Sequence, residues 1–358
     1  MSTLRVEALE QPDGTAFVFN NKNLLINGGM NVWQRSTSVT GITTSAYRTA
    51  DRWLTSFSSM GTWTQSRSTD VPSAQGFGYS LKMECTTADA SPAAGDYIIY
   101  NQRIEGQNLQ HLLKGTSSAK AITLSFWIKS NKTGTYICEL YDNDNNRSIS
   151  KSYTIDSAST WEKKTITFEG DTTGTLDNDN AASLYAQWWF GAGSNYTSGT
   201  LQTSWGTLTT ANRAVGQVNL ADSTSNELYI TGCQLEVGST ASGFEFEPYE
   251  RTLIRCQRYF VQDVFAYAGT MGGGSANVPL SIIQFPVRMR QAPTITWISG
   301  GTVSDGQYDS TISSQNTTQN INPFSARVLF NRNTSGTPSV VGRGCDVRGV
   351  TMKYDAEL

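Results

Sequence analysis

In residues 121–130, AITLSFWIKS, every second side chain is apolar. Ile122, Leu124, Phe126 and Ile128 fall on one side, and Thr123, Ser125, Trp127 and Lys129 on the other. A period of two buries one side only if the chain is extended, because a helix would scatter the same residues around its axis. The pattern recurs in residues 183–193, SLYAQWWFGAG, where Leu184, Ala186, Trp188 and Phe190 oppose Tyr185, Gln187 and Trp189. Residues 160–170 and 226–238 alternate likewise. Many such strands, separated by polar turns, predict an all-β chain of antiparallel sheets packed face to face. Helix is expected only in short pieces, around NLQHLLKG and PYERTLIRCQRYF.

The 358 residues divide into three regions. Residues 1–23 form a lead-in with a single apolar run, TAFVF. Residues 24–253 hold enough strands for a large jelly-roll-like β-sandwich. Residues 254–358, beyond the junction FEFEPYERTLIRCQRYF, contain VPLSIIQFPVRMRQAPTITWIS and SARVLFNRN and predict a smaller C-terminal β-sandwich.

Charged residues make up 16% of the chain and the net charge is −3, so no basic patch recommends nucleic acid as a partner. No apolar run is long enough for membrane insertion, and the N-terminus lacks the charged-then-apolar order of a signal peptide. The five cysteines are scattered, without a C-x-x-C pair. Cys85, Cys138 and Cys233 each share a strand face with apolar neighbours and read as reduced, buried hydrophobes, suited to folding in a reducing cytoplasm. The single His111 leaves little for histidine-based catalysis.

Residues 23–35, NLLINGGMNVWQR, and 50–53, ADRW, bracket a tract rich in Ser and Thr. Much later comes CQLEVGSTASGFEFEPYE, followed by RCQRYF. Together with the opening MSTLRV and the final DAEL, these motifs resemble a β-sandwich family of phage tail-fibre and other virion-surface proteins. That sandwich also looks like a carbohydrate-binding module. The resemblance implies a non-enzymatic virion protein, of tail-fibre or receptor-binding type, that recognises a bacterial-surface glycan. It further implies a homotrimer, docked to other virion proteins through its N-terminal segment and folded in the host cytoplasm. A capsid decoration or head-fibre protein is the alternative, and a glycan depolymerase the second. The trimer also has a physical motive, since TAFVF cannot bury itself and Trp127, Trp189 and Trp297 exceed what one sheet face per strand would hide.

Within the motifs, Asn27, Gly28, Gly29, Trp33, Arg35, Asp51, Arg52, Trp53, Gln234 and Glu236 read as scaffold. The glycines are expected to supply a turn, and Arg35 or Arg52 to pair with Asp51 or Glu236 and tie the domain's ends together.

For sugar binding, flat rings beside amides and acids are the chemistry to seek. Trp188, Trp189, Tyr196 and Trp205 flank a long polar loop, and one of the two adjacent tryptophans must point away from the core. DGQYDS and NPFS are weaker candidates. Asp142 and Asp144 in YDNDNNRS, and Asp177 and Asp179 in LDNDNAAS, are oxygen-rich enough for calcium. The same stretches make ordinary hairpin turns, and the turn reading carries more weight. A depolymerase would need paired carboxylates, and no local motif links Glu105, Glu139, Glu227 and Glu236.

Overall fold

The computed structural model describes residues 22–271, 279–304, 309–332 and 344–358. The run TAFVF, and residues 305–308 of DGQYDS, lie outside the described residues. The large domain is two facing antiparallel sheets. One has six strands in the order β1 (Ser38–Ile42), β4 (Thr62–Ser68), β5 (Ser80–Thr87), β13 (Glu227–Val237), β7 (Ile122–Ser130) and β10 (Glu162–Phe168). The other has seven: β12 (Gly206–Thr207), β9 (Arg147–Ile155), β8 (Gly134–Asp142), β11 (Ala182–Ala192), β6 (Tyr97–Glu105), β3 (Leu54–Ser58) and β2 (Ala46–Tyr47).

The alternation in sequence becomes the inner lining. Ile122, Leu124, Phe126 and Ile128 of β7 are all buried, as are Leu184, Ala186, Trp188 and Phe190 of β11. Trp188 meets Phe126 edge to face at 5.6 Å across the sheets, and Trp53 stacks on Tyr100 at 4.9 Å. Each such ring removes about 150–250 Å² from water, or about 4–6 kcal/mol at ~25 cal/mol per Å² before conformational entropy is counted. Cys85, Cys138 and Cys233 lie in this core, reduced and buried as expected. Cys256 and Cys345 are also free and buried.

The opening motif is a backbone knot at the edge of the core. Asn27 adopts φ 58°. Its Oδ1 accepts from the N–H groups of Asn31 (2.8 Å) and Val32 (3.0 Å), while Nδ2 donates to the carbonyls of Val32 (2.9 Å) and Asp51 (3.1 Å). Trp53 Nε1 donates to the Asn27 carbonyl, and Trp33 Nε1 to that of Met30. The turn expected of the glycines is instead made by Asn27 and Met30, the positive-φ residues on either side. Gly28 is required for a different reason: a Cβ there would lie 2.0 Å from the Cys233 carbonyl oxygen. Its neighbour Gly29 packs beside Asn31 and the Phe244 ring.

A short helix, α2 (Tyr249–Gln257), links the sandwich to six further strands that close into an antiparallel barrel. Their order is β14 (Phe260–Met271), β15 (Pro279–Gln284), β18 (Ser325–Arg332), β17 (Asp309–Gln319), β16 (Thr294–Ser304) and β19 (Gly344–Asp355). Val328, Phe330, Val347, Val350, Met352 and Tyr354 fill its interior. The domain expected as a smaller sandwich thus has its sheet rolled shut.

The two expected arginines do tie distant parts together, Arg35 through the expected Asp51 as well as Glu357, and Arg52 through Glu357. Arg52, only 1% exposed, pairs with Glu357, just beyond β19, and lies 3.4 Å over the Tyr259 ring. Arg35 reaches Glu357 at 3.2 Å and Asp51 at 3.8 Å, with its guanidinium 3.5 Å over Phe260. Glu236 takes no part. It accepts from Gln234 Nε2 and from the Ser242 N–H, both at 2.9 Å, while Gln234 Oε1 takes the Glu245 N–H at 2.8 Å. That pair of side chains staples residues 242–245 to the six-stranded sheet. The motif's arginines therefore clasp the barrel to the sandwich.

Candidate functional site

Strands β6 and β11 run side by side in the seven-stranded sheet, with Arg103 opposite Tyr185, Asn101 opposite Gln187 and Ile99 opposite Trp189. Because strands alternate, these are the outward-facing positions. With Tyr97 from β6, Tyr141 from β8, Ser56 from β3, Tyr196 from the single-turn helix α1 (Ser194–Thr197) and Arg213, they enclose a cleft of about 210 Å³.

Its walls are aromatic. Tyr141 and Tyr185 meet at 5.3 Å, Tyr97 and Tyr196 at 5.5 Å, and Trp189 and Tyr196 at 5.3 Å. Two cations hold the rings in place: Arg213 lies 5.0 Å from Trp189, and Arg103 lies 4.8 Å from Tyr185. Beneath them, the fully buried Glu139 accepts from Arg213 Nε and Nη2, both at 2.9 Å, and from Trp189 Nε1 at 3.1 Å. Burial pushes the phenols of Tyr141, Tyr185 and Tyr196 upward, so they stay neutral hydroxyls.

Polar groups in the wall are left over. Asn101 is 1% exposed; its Nδ2 donates to Ser56 Oγ at 2.9 Å, but its Oδ1 has no partner. The Gln187 side chain lines the same cleft at 4% exposure, with no hydrogen bond among the described residues. A buried amide oxygen without a partner, as in Asn101, is rare and costs about 1–3 kcal/mol if left so. Apolar ring faces beside unspent amide groups are what a sugar ring needs.

Of the residues expected to bind sugar, the structure brings Trp189 and Tyr196 together here. Trp189 does point away from the core, as the alternation required. It is nonetheless 0% exposed, covered by Tyr97, Tyr196 and Arg213, so it forms the floor and not a stacking platform. The same covering removes Trp189 from the surface offered for subunit contact. Trp188 lies in the sandwich core, and Trp205 sits elsewhere, donating to the Glu169 carbonyl at 2.8 Å with Lys114 5.2 Å from its ring. Tyr97, Tyr141, Asn101 and Arg213 were not anticipated. Tyr97, Ile99, Asn101 and Arg103 share the outward side of β6, a side that the apolar run YIIY does not distinguish from the inward one.

The four aspartates considered for calcium do not converge. Asp142 is buried and pairs with the Lys114 ammonium, which also reaches Asp171 at 3.0 Å and the carbonyls of Thr173 (3.0 Å) and Gly174 (2.9 Å). The Lys114 ammonium thus occupies the cluster of oxygens around Asp142 that was weighed for calcium. Asp144 accepts the Asp177 N–H, and Asp179 that of Ala181. Among the described residues, no group of three or more His, Cys, Asp or Glu is placed to hold a metal. The carboxylates weighed for hydrolysis are likewise dispersed: Glu105 pairs with Arg258, Glu227 with Lys82, and Glu139 with Arg213.

No protein-family model matches the chain, and no curated protein matches it. Among solved structures, the chain is similar to the enzymatically active domain of tailspike protein 4 of bacteriophage CBA120. The TM-score is 0.29 and the identity 14%, over 60% of this chain and 21% of that one. It is also similar to the carbohydrate-binding module TmCBM61 in complex with β-1,4-galactotriose, at TM-score 0.30 and 10% identity over 61% of this chain and 99% of that one. A third is a family 11 carbohydrate-binding module from Clostridium thermocellum in complex with a β-1,3-1,4-mixed-linked tetrasaccharide, at TM-score 0.30 and 11% identity over 57% of this chain and 97% of that one. Likeness at this level carries no argument about what the present chain binds, and the case for a ligand rests on the cleft.

Proposed function

We propose that the chain is a non-enzymatic virion-surface protein, of tail-fibre or receptor-binding type, whose large sandwich holds a bacterial-surface sugar in the cleft. The observation that carries the sugar reading is the unpartnered Oδ1 of Asn101, set with the Gln187 amide between tyrosine rings. At about 210 Å³ the cleft is smaller than the ~300–1,000 Å³ of typical ligand pockets. It therefore suits one sugar ring rather than a long stretch of polymer. The virion setting is supported by the motif resemblance alone. The non-enzymatic reading is supported by the cleft's lining, which has no carboxylate among its described residues, and by Glu139 being held beneath it by Arg213.

A homotrimer belongs to the same reading. Phe246, Tyr249 and Ile254 are each more than half exposed near α2, as are Val264, Ile282 and Phe324 on the barrel. Apolar surface of this kind favours subunit contact. Sedimentation equilibrium of the full chain checks this: a trimeric mass is expected, and a monomeric mass at micromolar concentration would remove the trimer.

For the sugar, a glycan array is probed with the full chain and with Tyr141→Ala. Retention of one glycan class by wild type, lost in the variant, is expected. No retention of any glycan would end the reading, and release of reducing ends from a bound polysaccharide would replace it with the depolymerase.

A further inference from the structure

We propose that the cavity between sandwich and barrel is a second binding site, for an oxyanion carried on a saccharide: a uronate carboxylate or a sugar phosphate. The saccharide half rests on the glycan reading above, whereas the anion half stands on this cavity alone.

The cavity measures about 780 Å³, and its wall carries Arg52, Arg103, Arg255, Arg258, Arg288 and Arg290. Three of the six are neutralised: Arg52 by Glu357, Arg255 by Glu247 at 2.7 Å and Arg258 by Glu105 at 2.8 Å. Of the other three, Arg288 and Arg290 have no carboxylate partner among the described residues. Arg103 donates at 2.9 Å to an oxygen of Leu358, which in the sequence as given is the α-carboxylate. Arg290 donates to the carbonyls of Ala356 (2.8 Å), Glu357 (2.9 Å) and Asn180 (3.0 Å). Arg288, exposed at the rim, lies 5.0 Å from the Phe324 ring, its one recorded partner among the described residues. Carbonyl partners occupy donors without cancelling charge. On the opposite side of the ledger the wall offers a single described carboxylate, Asp179, which is exposed.

Two buried donors point to a missing partner. Arg52 is 1% exposed and its Nε has no acceptor, and the buried Nε of Arg103 has none either. Burial also disfavours the charge on Arg290, lowering its guanidinium from the ordinary value. Guanidinium groups present paired N–H donors that match carboxylate and phosphate oxygens, and an anion relieves both the charge and the orphaned donors. The volume is far more than an inorganic ion needs and falls within the usual range for organic ligands, which favour domain boundaries. Gln107, Asn108 and His111 on the same wall can take hydroxyls. Because Arg288 and Arg290 come from the barrel and Arg52 and Arg103 from the sandwich, a bound anion bridges the two domains.

The test is titration calorimetry on the full chain with glucuronate, glucose 6-phosphate, glucose and inorganic phosphate, at low and high salt. Glucuronate or glucose 6-phosphate is expected to bind, more weakly at high salt, and whichever binds tighter identifies the oxyanion. Arg288→Gln is expected to weaken that binding at least about tenfold and Arg288→Glu to abolish it, while Tyr141→Ala leaves it unchanged. Loss in Tyr141→Ala with Arg288→Gln unaffected would put the anion in the tyrosine cleft, overturning this inference and sparing the glycan reading. Inorganic phosphate binding as tightly as either sugar acid would overturn the saccharide half. Absence of anion binding would overturn the whole.

Discussion

Asn27 and Asn101 are both buried asparagines in the large domain, 3% and 1% exposed. In the knot around Asn27, the side chain makes four hydrogen bonds to backbone groups, two donated and two accepted. In the cleft around Asn101, the amide nitrogen is tied down and the oxygen is not. The knot and the cleft draw on the same residue types: Asn, Gln, Arg, Trp and Tyr. What separates architecture from a binding surface here is the balance of hydrogen bonds. Where every group is matched, the residues fix a backbone path. Where some are left over beside a void, they have hydrogen-bonding capacity to offer a ligand.

The sharpest way to break this contrast is to truncate both asparagines. Asn27→Ala strands the N–H groups of Asn31 and Val32 and the Asp51 carbonyl, and is expected to cost about 3–5 kcal/mol in urea denaturation. Asn101→Ala removes one satisfied group and one unsatisfied one, and is expected to cost about 1 kcal/mol or less. Equal losses would erase the distinction.

A second experiment reads the cleft from the ligand's side. Tyr141→Ala, at a half-buried position, should shift stability by no more than about 1–2 kcal/mol. Its affinity for the retained glycan should nonetheless fall at least about tenfold, since one ring face and its hydroxyl are gone. A stability loss matching Asn27→Ala would move Tyr141 into the architectural class.

A third effect lies in the knot and depends on pH. Burial pushes the Asp51 carboxyl up to about 6, against the pull of Arg35 and the hydrogen bonds from Gln34. Between pH 4 and 6 the folded chain therefore holds a proton that the unfolded chain has released. Asp51's contribution to stability falls as pH rises through that window and is level above it. Asp51→Asn should flatten this segment of the stability–pH curve, measured by denaturant midpoints at half-unit intervals. An unchanged slope would show that the carboxylate is already ionised throughout.

The sheets were legible in the sequence because β7 and β11 alternate cleanly, and the same alternation told which way Trp189 points. Its burial was not legible: the cover comes from Tyr97 on another strand and from Tyr196 and Arg213 in a folded-back loop. Nor does β6 announce its outer face, since YIIYNQRIE is apolar on both sides, with Ile98 and Tyr100 inward and Ile99 outward. The role of the opening arginines was half legible. Their chemistry demanded a carboxylate, but Glu357 lies 305 residues beyond Arg52, and no spacing rule reaches that far. For Asp142, ligand type suggested calcium, and nothing local revealed a lysine 28 residues earlier as the actual partner.

That lysine has a consequence of its own. A metal ion that braces loops is a visitor, held only as firmly as the surrounding solution supplies it, and chelation or dilution takes it away. Lys114 brings its positive charge on a covalent tether, so its concentration at Asp142 and Asp171 is set by the chain and not by the medium. The turn at residues 142–145 and the loop at 171–174 are braced alike in hard water, soft water or chelator. For this corner of the molecule, the brace is inherited with the sequence and not collected from the surroundings.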